Sequence, residues 1–308
     1  MLHITDEMVA DAVSIAETQQ VLLEAFRSFG TGKATMQERI RTEAGGVKLS
    51  TLGAVIPEQG FVGAKVYTTI AGQFSFAIML FSASDGRPLA SLEANTITRL
   101  RTAACSVIAS RYLARPAAHV LALFGTGVQG RAHALQMSGA YSLHEILIVP
   151  FDDPPDMAER IASETGVPAR FTSAKEALDH ADIVVTASRA TTPLFTGEML
   201  RPGTFVAAVG SSLPHTRELD DTALGRASLI AVEWRQQTLR EAGDLVLASP
   251  AALPPNKIVE LGELIAGTAR GRRSDNEITI YKTVGVGLED IAIAGLAYAR
   301  VTGEAATA

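Results

Sequence analysis

Residues 119–132 read HVLALFGTGVQGRA, and this stretch decides the fold. An apolar run of the kind found in buried strands comes first, and a turn with the spacing G-x-G-x-x-G follows directly. In such a turn Gly125 allows a tight bend, Gly127 lets the backbone approach a pyrophosphate, and Gly130 lets a helix pack closely on the strand. A helix beginning at Val128 would direct its positive end at the phosphates. The alternative is a strand, turn and helix whose glycines serve packing alone.

The predicted cofactor-binding residues of this turn are Gly125, Thr126, Gly127, Val128, Gln129 and Gly130. The next strand, EILIVPF, should end on an acid that binds ribose hydroxyls, but it ends on Phe151, and Asp152 and Asp153 follow. Two acids would repel a 2′-phosphate, so this pattern favours NAD over NADP and makes Asp152 the candidate contact. NADP stays an option, and Asp152 could instead cap the next helix.

Further apolar runs without polar alternation occur at 182–188, 205–210 and 229–234. Strands covered by helices on both faces look like this, which predicts an α/β fold with a Rossmann-type doubly wound parallel sheet over 115–287. The remaining residues, 1–114 and 288–308, predict a second α+β domain. Its expected elements are one helix over 6–29, strands over 46–54, 61–70, 74–82 and 88–92, and helices over 96–113 and 288–303.

Composition narrows the function classes. The chain has 308 residues, 47% of them hydrophobic and 19% charged, with a formal net charge of −6. This balance predicts a folded protein of two domains and argues against nucleic-acid binding. The single cysteine, Cys105, excludes a disulfide framework and a multi-cysteine metal site, and the histidines show no metal-ligand spacing, so no metal is expected. The start of the chain lacks a secretory pattern, and the uncharged run 66–84 is interpreted as sheet. We therefore expect a cytoplasmic protein that does not insert into membranes.

Several cations lie in apolar or glycine-rich surroundings. Lys65 and Lys282 fall within apolar runs, Arg101 lies on the helix predicted over 96–113, and Arg39 and Arg41 precede a Gly-Gly turn. A buried ammonium without a partner costs several kcal/mol, so such a lysine needs a carboxylate, a phosphate or a ligand. Arginines combined with a lysine can hold a small carboxylate. Each cation could instead form an ordinary ion pair or extend its charged end to solvent.

Two acids follow the apolar run 205–210. Glu218 and Asp220 lie where residues past the carboxyl end of a strand face the ligand crevice of a doubly wound sheet. Either could serve as a general acid or base, or could simply begin a helix.

These pieces together resemble the ornithine cyclodeaminase/mu-crystallin family over nearly the whole chain. The motifs that carry the resemblance are GAKVYT at 63–68, T-x-x-R-T-A-A at 98–104, GTGVQG at 125–130, VGSSLPHTRELDD at 209–221, REAGDL at 240–245 and GRRSDNEITIYKTVGVGLED at 271–290. Their order and spacing together are far more specific than any one of them.

The resemblance implies a homodimer built through the non-Rossmann domain, with an active site between the domains. It implies that Lys65 and Arg101 hold a substrate carboxylate, with Arg39 (or Arg41) as a third cation. The remaining implied roles are proton transfer by Asp220 and a nicotinamide border formed by the loop from Lys282 to Gly285.

Family members act on a small amino or imino acid through an imine beside a carboxylate, with hydride exchanged at C2. Cyclodeaminases convert ornithine to proline and ammonia, whereas others reduce cyclic ketimines or act as amino-acid dehydrogenases. Cyclodeaminases carry a glutamate that pairs with the distal ammonium of ornithine, and the matching position here is Lys48, which would repel it. We therefore expect a ketimine reductase or amino-acid dehydrogenase, with ornithine cyclodeaminase as the alternative.

A second alternative is a nucleotide-binding protein without turnover. The presence of Lys65, Arg101 and Asp220 together favours catalysis over this alternative.

Overall fold

The computed structural model describes residues 1–304, which divide into two compact units. Unit 1 combines Met1–Ala104 with the chain from Gly285 onwards, and unit 2 is Cys105–Val284. The divisions follow Ala104 and Val284, ten and three residues before the predicted ones at 114 and 287, and the first falls inside a long helix.

Unit 1 is built on a seven-stranded sheet with helices. Its strands are β1 (Leu2–Ile4), β2 (Thr35–Met36), β3 (Ile40–Ala44), β4 (Val47–Ile56), β5 (Phe61–Ile70), β6 (Gln73–Ser82) and β7 (Pro88–Glu93). Its helices are α1 (Asp6–Ala12), α2 (Ile15–Gly30) and α11 (Gly287–Thr302), with α3 (Asn95–Leu113) crossing into unit 2. The strand order is β1-β7-β6-β5-β4-β2, and β3 also pairs with β4. Neighbours are antiparallel except β1 and β7.

The single helix predicted over 6–29 is wrong, because two helices cover this region. Ser14 has an extended conformation and accepts a hydrogen bond from the Glu17 amide, while the Glu17 carboxylate accepts one from the Ser14 amide. This reciprocal capping box starts a new helix at Ile15, although the apolar spacing continues past Ser14. Apolar spacing alone does not reveal such a break.

The alternation of β5 decides which of its side chains are buried. Lys65 lies opposite Leu52 of β4 and Ile78 of β6, so the three share one face of the sheet. Helix α11 packs on β4, β5 and β6, and a Cβ on Gly63 would lie 2.8 Å from the Ile291 side chain. Lys65 is therefore held between a sheet and an apolar helix.

Unit 2 is an eight-stranded sheet in which every pairing is parallel. Its strands are β8 (Val120–Phe124), β9 (Glu145–Val149), β10 (Ala169–Phe171), β11 (Ile183–Thr186), β12 (Phe205–Ala208), β13 (Ala227–Val232), β14 (Ile258–Glu260) and β15 (Ile278–Lys282). Its helices are α4 (Val128–Ala140), α5 (Met157–Thr165), α6 (Ala174–His180), α7 (Asp221–Arg226), α8 (Arg235–Glu241), α9 (Gly243–Val246) and α10 (Leu261–Ala266). Short 3₁₀ turns are Pro57–Gln59 in unit 1 and Gly197–Met199 and Pro255–Lys257 in unit 2.

The strand order β10-β9-β8-β11-β12-β15-β13-β14 confirms the predicted doubly wound sheet. The chain first extends from β8 towards β10 and then returns to the other side of β8, so β8 and β11 meet where the direction reverses. Ligands of open parallel sheets bind beyond the carboxyl ends of the strands at this reversal. Within residues 1–304 no helix is long and apolar enough to cross a bilayer, and the run 66–84 forms β5 and β6.

Candidate functional site

The glycine-rich turn lies at the reversal point of the unit 2 sheet. Gly125 has a left-handed φ of +99°, and a Cβ there would lie 2.6 Å from the Ala187 carbonyl oxygen, just past the end of β11. A Cβ on Gly130 would overlap the Gly125 carbonyl oxygen. Protein packing alone therefore requires glycine at these two positions.

Gly127 differs from its two neighbours in the motif. It precedes α4 as the N-cap residue with an extended conformation, and a Cβ there would meet nothing within 4 Å. Gly127 and Val128 are exposed, so the amino end of a 13-residue helix is open to a ligand. Packing does not explain this glycine, and the predicted approach of a pyrophosphate to Gly127 stays a prediction.

The acid that contacts the turn is Asp153, which the sequence analysis did not choose. Its carboxylate accepts hydrogen bonds from the Thr126 hydroxyl and, at 2.9 Å, from the Phe151 amide. Asp152 is exposed, and it does not cap α5, because the N-cap residue there is Asp156. The two adjacent acids were a usable signal, but the loop conformation decides which one turns inward.

The structure brings Arg39, Lys65 and Arg101 together in unit 1. The Lys65 ammonium donates to the Thr98 hydroxyl at 2.5 Å and lies 3.1 Å from Asp290 Oδ1. Arg101, on α3, donates from Nη1 to Glu289 Oε2 at 2.6 Å, and its Nε lies 3.7 Å from Asp290 Oδ1. Lys65 and Arg101 are both buried, at 2% and 7% exposure. We call these three cations the clamp.

Gly285 connects two members of the clamp. Its carbonyl oxygen accepts a hydrogen bond of 2.6 Å from Arg39 Nη2. Its φ is +78°, and a Cβ would lie 2.6 Å from both terminal nitrogens of Arg101. Gly285 thus shapes the arginine pair, and its predicted place beside a nicotinamide stays a prediction.

The charge state of Lys65 is finely balanced. Burial lowers the pKa of its ammonium to about 8, because the charged form loses its hydration; Asp290 opposes this shift, and Arg101 and Arg39 add to it. The Phe76 ring supports the charge from another side, with its centroid 4.3 Å from the Lys65 nitrogen.

Arg41 and Lys48 lie further along unit 1. Arg41 of β3 pairs in register with Ser50 of β4, and Lys48 forms an ion pair of 3.1 Å with Glu43. Arg39, in contrast, lies where its positive charge lowers the pKa of Lys65. Of the two arginines that the sequence left open, the geometry favours Arg39.

Asp220 occupies the position of a helix cap. Its Oδ1 accepts a hydrogen bond of 2.7 Å from the Ala223 amide in α7, and both carboxylate oxygens lie 3.1 Å from the Gly197 amide. This corresponds to the alternative that the sequence left open for an acid in this loop. The predicted role in proton transfer stays a prediction.

Glu218 is fully buried and ties two strand ends together. Its carboxylate accepts hydrogen bonds of 2.7–2.8 Å from the Thr186 hydroxyl, the Ser188 amide and hydroxyl, and the Gly210 amide. With four donors satisfied, this acid stabilises the loops that follow β11 and β12.

Lys282 is also fully buried. Its ammonium lies 2.9 Å from Asp244 Oδ2 and donates to the Ala208 carbonyl at 3.1 Å. Asp244 in turn accepts hydrogen bonds from the Glu218 and Leu219 amides. These contacts favour a structural ion pair, and the predicted cofactor contact of Lys282 stays a prediction. Across residues 1–304, no cluster of three or more metal-ligating side chains occurs.

Glu289 and Asp290 were not predicted as site residues, although they lie at the end of the family motif at 271–290. Both are fully buried at the start of α11 and pair with Arg101 and Lys65. Two adjacent acids opening an apolar helix were the available signal. Their partners, however, lie about 190 to 225 residues earlier in the chain.

A parallel sheet with an open glycine-rich turn, together with a second unit that holds a buried cation clamp, defines a two-unit α/β protein of the dinucleotide-binding type. The chain belongs to the ornithine cyclodeaminase/mu-crystallin family, whose sequence profile matches residues 2–305.

Among its relatives is Delta(1)-pyrroline-2-carboxylate reductase of Bacillus cereus, 36% identical over 84% of this chain and 78% of that protein. Mouse ketimine reductase mu-crystallin is 34% identical over 72% of this chain and 68% of that protein. A crystal structure of a probable ornithine cyclodeaminase from Bordetella pertussis shares 59% identity with a TM-score of 0.97, covering 99% of this chain and 98% of that one. The structure of Thermococcus litoralis Delta(1)-pyrroline-2-carboxylate reductase with NADH and L-proline is 27% identical, with a TM-score of 0.93 and 98% of each chain covered.

Proposed function

We propose that this protein is an NAD(P)-dependent oxidoreductase that acts at the C2 amine or imine of a small amino or cyclic imino acid. The observation that carries this proposal is the clamp, in which Lys65 and Arg101 are buried beside Arg39. Asp290 and Glu289 already pair with Lys65 and Arg101, but the pKa of the Lys65 ammonium stays lowered to about 8, so a further anion such as a substrate carboxylate would stabilise its charge. Relatives named as pyrroline-2-carboxylate and ketimine reductases support this substrate class.

NAD is the proposed cofactor. The open space at Gly127 and the exposed amino end of α4 fit a pyrophosphate, and the inward-turned Asp153 disfavours a 2′-phosphate. Related structures described with NADH or NAD support the same cofactor. When bound, the nicotinamide supplies or accepts the hydride. We also propose that the protein is cytoplasmic.

The chain's own residues bind, orient and exchange protons. The clamp fixes the carboxylate and thereby the neighbouring C2, which reduces the entropy cost of reaction. Lys65, with a pKa of about 8, can both hold the carboxylate and exchange a proton near neutral pH. Asp220 is the second proposed proton carrier, although both of its carboxylate oxygens lie within hydrogen-bonding distance of backbone amides.

Ornithine cyclodeaminase is the second candidate. The Bordetella pertussis structure, described as a probable ornithine cyclodeaminase, favours it. Lys48 argues against it, since the family resemblance puts this lysine where cyclodeaminases carry the glutamate that pairs with ornithine's distal ammonium, and a cation there would repel that group.

The proposal is tested by a substrate panel assayed with NADH and NADPH in both directions. Oxidation of NADH with pyrroline-2-carboxylate or piperideine-2-carboxylate is the expected result. Release of ammonia from ornithine without net change in NADH would establish the second candidate. Tight NADH binding with no turnover across the panel would leave a nucleotide-binding protein and overturn the proposed activity.

We also propose a homodimer formed through unit 1. One face of its sheet carries exposed apolar side chains: Ile40 at 56%, Val47 at 43%, Leu49 at 45% and Ile70 at 51% exposure. The strand register places these four residues on the same face, opposite to the face that carries Lys65. Exposed apolar patches of this kind are typical of protein–protein interfaces. A related archaeal alanine dehydrogenase is described as a dimer.

A further inference from the structure

Aromatic side chains continue from Lys65 along one face of the unit 1 sheet. Tyr67 follows Lys65 on the same face of β5 and pairs in register with Phe76 of β6, and Phe74 pairs with Thr69 one step further along the two strands. We call Tyr67, Phe74 and Phe76 the aromatic row. Apart from the contact of Phe76 with the ammonium, these three residues take no part in the roles proposed above.

The rings of the aromatic row contact one another and the clamp. The Phe76 centroid lies 4.3 Å from the Lys65 nitrogen, 5.2 Å from the Tyr67 centroid and 5.6 Å from the Phe74 centroid. Phe74 and Phe76 are nearly parallel, with 7° between their planes, and Tyr67 lies 6.2 Å from Phe74. A continuous apolar surface therefore leads away from the cation that would hold a carboxylate.

The aromatic row lies beyond the amino end of α11. The first turn of this helix pairs with Lys65, a Cβ on Gly63 would contact Ile291, and a Cβ on Gly295 would contact Phe61. The helix therefore runs from Lys65 towards the start of β5, whereas the aromatic row extends in the opposite direction. Two of its rings are half-buried, and the outermost ring is 48% exposed.

We infer that the aromatic row is the subsite for the part of the substrate that extends beyond C2, and that this part is a planar apolar group. The inference rests on the proposed function, since it takes the clamp to hold the substrate carboxylate. A carboxylate at Lys65 fixes C2, and the atoms attached to C2 project from that point. Since α11 covers the sheet on one side of Lys65, the open direction along β5 within unit 1 is the one that the aromatic row lines.

The chemistry of the aromatic row favours a flat apolar group over a polar one. Contact with the rings removes apolar area of a ligand from water, and offset or edge-on contacts between aromatic rings add a further attraction. A polar group in the same place loses hydration without gaining a hydrogen bond from the rings. A single ring held at Lys65 by its carboxylate reaches Phe76, whereas a fused second ring extends towards Phe74 and Tyr67. The substrate class is therefore an amino or imino acid with an extended planar group.

The inference is tested by calorimetric binding of two unreactive planar acids, pyrrole-2-carboxylate and indole-2-carboxylate, which share the ring that carries the carboxylate. Wild-type protein should bind indole-2-carboxylate at least about fivefold more tightly, because the fused ring adds apolar area. Phe74→Ala should reduce this preference at least about threefold and change the affinity for pyrrole-2-carboxylate by less than about twofold. Equal affinities in the wild-type protein, or an unchanged preference in Phe74→Ala, overturn the inference.

Two further variants separate the aromatic row from the clamp and from the rest of the sheet. Lys65→Met should weaken the binding of both acids by the same factor, so that their ratio stays unchanged. Phe81→Ala removes a ring from the opposite face of β6, where it pairs with Val62, and should change neither affinity. A preference that falls as far in Phe81→Ala as in Phe74→Ala overturns the inference, because the effect would then come from loosening of the sheet.

Sedimentation velocity and the wild-type comparison complete the test. Phe74→Ala should keep the wild-type mass, and a changed mass would assign Phe74 to an interface between copies and overturn the inference. The comparison of the two acids in wild-type protein needs no variant, so the inference is decided even if Phe74→Ala does not fold.

The outcomes also distinguish this inference from the proposed function. Pyrrole-2-carboxylate affinity that survives in Lys65→Met contradicts the clamp as the carboxylate site, and overturns both. Equal binding of the two acids, with affinity still lost in Lys65→Met, keeps the clamp and overturns the role of the aromatic row alone. Because these readouts measure binding, they are independent of whether the substrate panel shows turnover.

Discussion

Lys65 is the residue on which the proposed chemistry of unit 1 depends. Its strand neighbours are apolar, and the cost of burying its charge is met by Asp290, the Thr98 hydroxyl and the Phe76 ring. Because the compensation is incomplete, the pKa of the ammonium stays low, at about 8. A bound carboxylate would stabilise the charged form of Lys65, and this stabilisation would contribute to the affinity for an anion.

At the residue scale, Lys65→Met should change how stability depends on pH. The pKa is about 8 in the folded protein against 10.5 ordinarily, so between these values the unfolded chain binds more protons and stability rises with pH. The rise amounts to about 3 kcal/mol over this window and should vanish in Lys65→Met. Urea unfolding at pH 8 and pH 10 measures it, with the exposed Lys175→Met as control. A rise that persists in Lys65→Met would show that Lys65 is not its source.

Asp220→Asn separates capping from proton transfer. Asparagine caps helices about as well as aspartate, so the melting temperature should change little. If Asp220 moves protons, kcat should fall at least about 10²-fold. Asp221→Asn, in the first turn of the same helix, is the control for removing a nearby acid. Unchanged turnover in Asp220→Asn would leave capping as its only role.

The element to which we assign NAD binding in unit 2 is the strand, turn and helix from β8 to α4. Two of its glycines are required by contacts within the protein, at Gly125 and Gly130, whereas Gly127 has open space around it. The motif thus contains two glycines that the fold requires and a third that we assign to ligand binding. The sequence does not distinguish these roles, whereas the space around each glycine in the structure does.

At the scale of this element, Gly127→Val should abolish NADH binding and leave the fold intact. The substituted side chain meets no protein atom, but it occupies the place through which a pyrophosphate approaches the backbone. Fluorescence titration with NADH and thermal unfolding measure the two effects. Gly139→Val, at another uncrowded glycine of α4, controls for helix propensity. Wild-type affinity in Gly127→Val would reduce the motif to a packing device.

The whole molecule consists of two sheets of different kinds. The strands of the parallel sheet in unit 2 are apolar along nearly their whole length, and such strands need helices on both faces of the sheet. The largely antiparallel sheet of unit 1 has one face bearing α11 and an opposite face with exposed apolar side chains. The face with exposed apolar side chains is the one that we propose as the dimer interface.

At this scale, Leu49→Asp combined with Ile70→Asp should convert a dimer to a monomer. Both residues lie on the exposed apolar face, where a second copy would bury them, and two carboxylates there would need desolvation. Sedimentation velocity over a concentration series measures the mass. Phe151→Asp is the control, since it places the same charge on a 97% exposed apolar residue of unit 2. A wild-type mass of one chain at all concentrations contradicts the proposal.

The doubly wound sheet and its glycine-rich turn were predictable from sequence because their signals are local. Unbroken apolar runs need cover on both faces, and a G-x-G-x-x-G turn after such a run has few other uses. The strand over 61–70 was equally readable from its composition. The break at Ser14 was missed because the apolar spacing continues past it, although Ser14 and Glu17 have the S-x-x-E spacing of a capping box and were an available signal.

The sequence by itself determined that Lys65 falls in an apolar run and Arg101 on a predicted helix, and it left open whether each charge is buried against an anion or extends to solvent. Only the tertiary structure decided that both are buried against Glu289 and Asp290, because side chains about two hundred residues apart meet through sheet register and helix packing. It also decided that Asp153 turns toward Thr126 while Asp152 stays in solvent. The physical reason is the same in both cases: burial and charge pairing depend on distances in space, which local residue patterns do not contain.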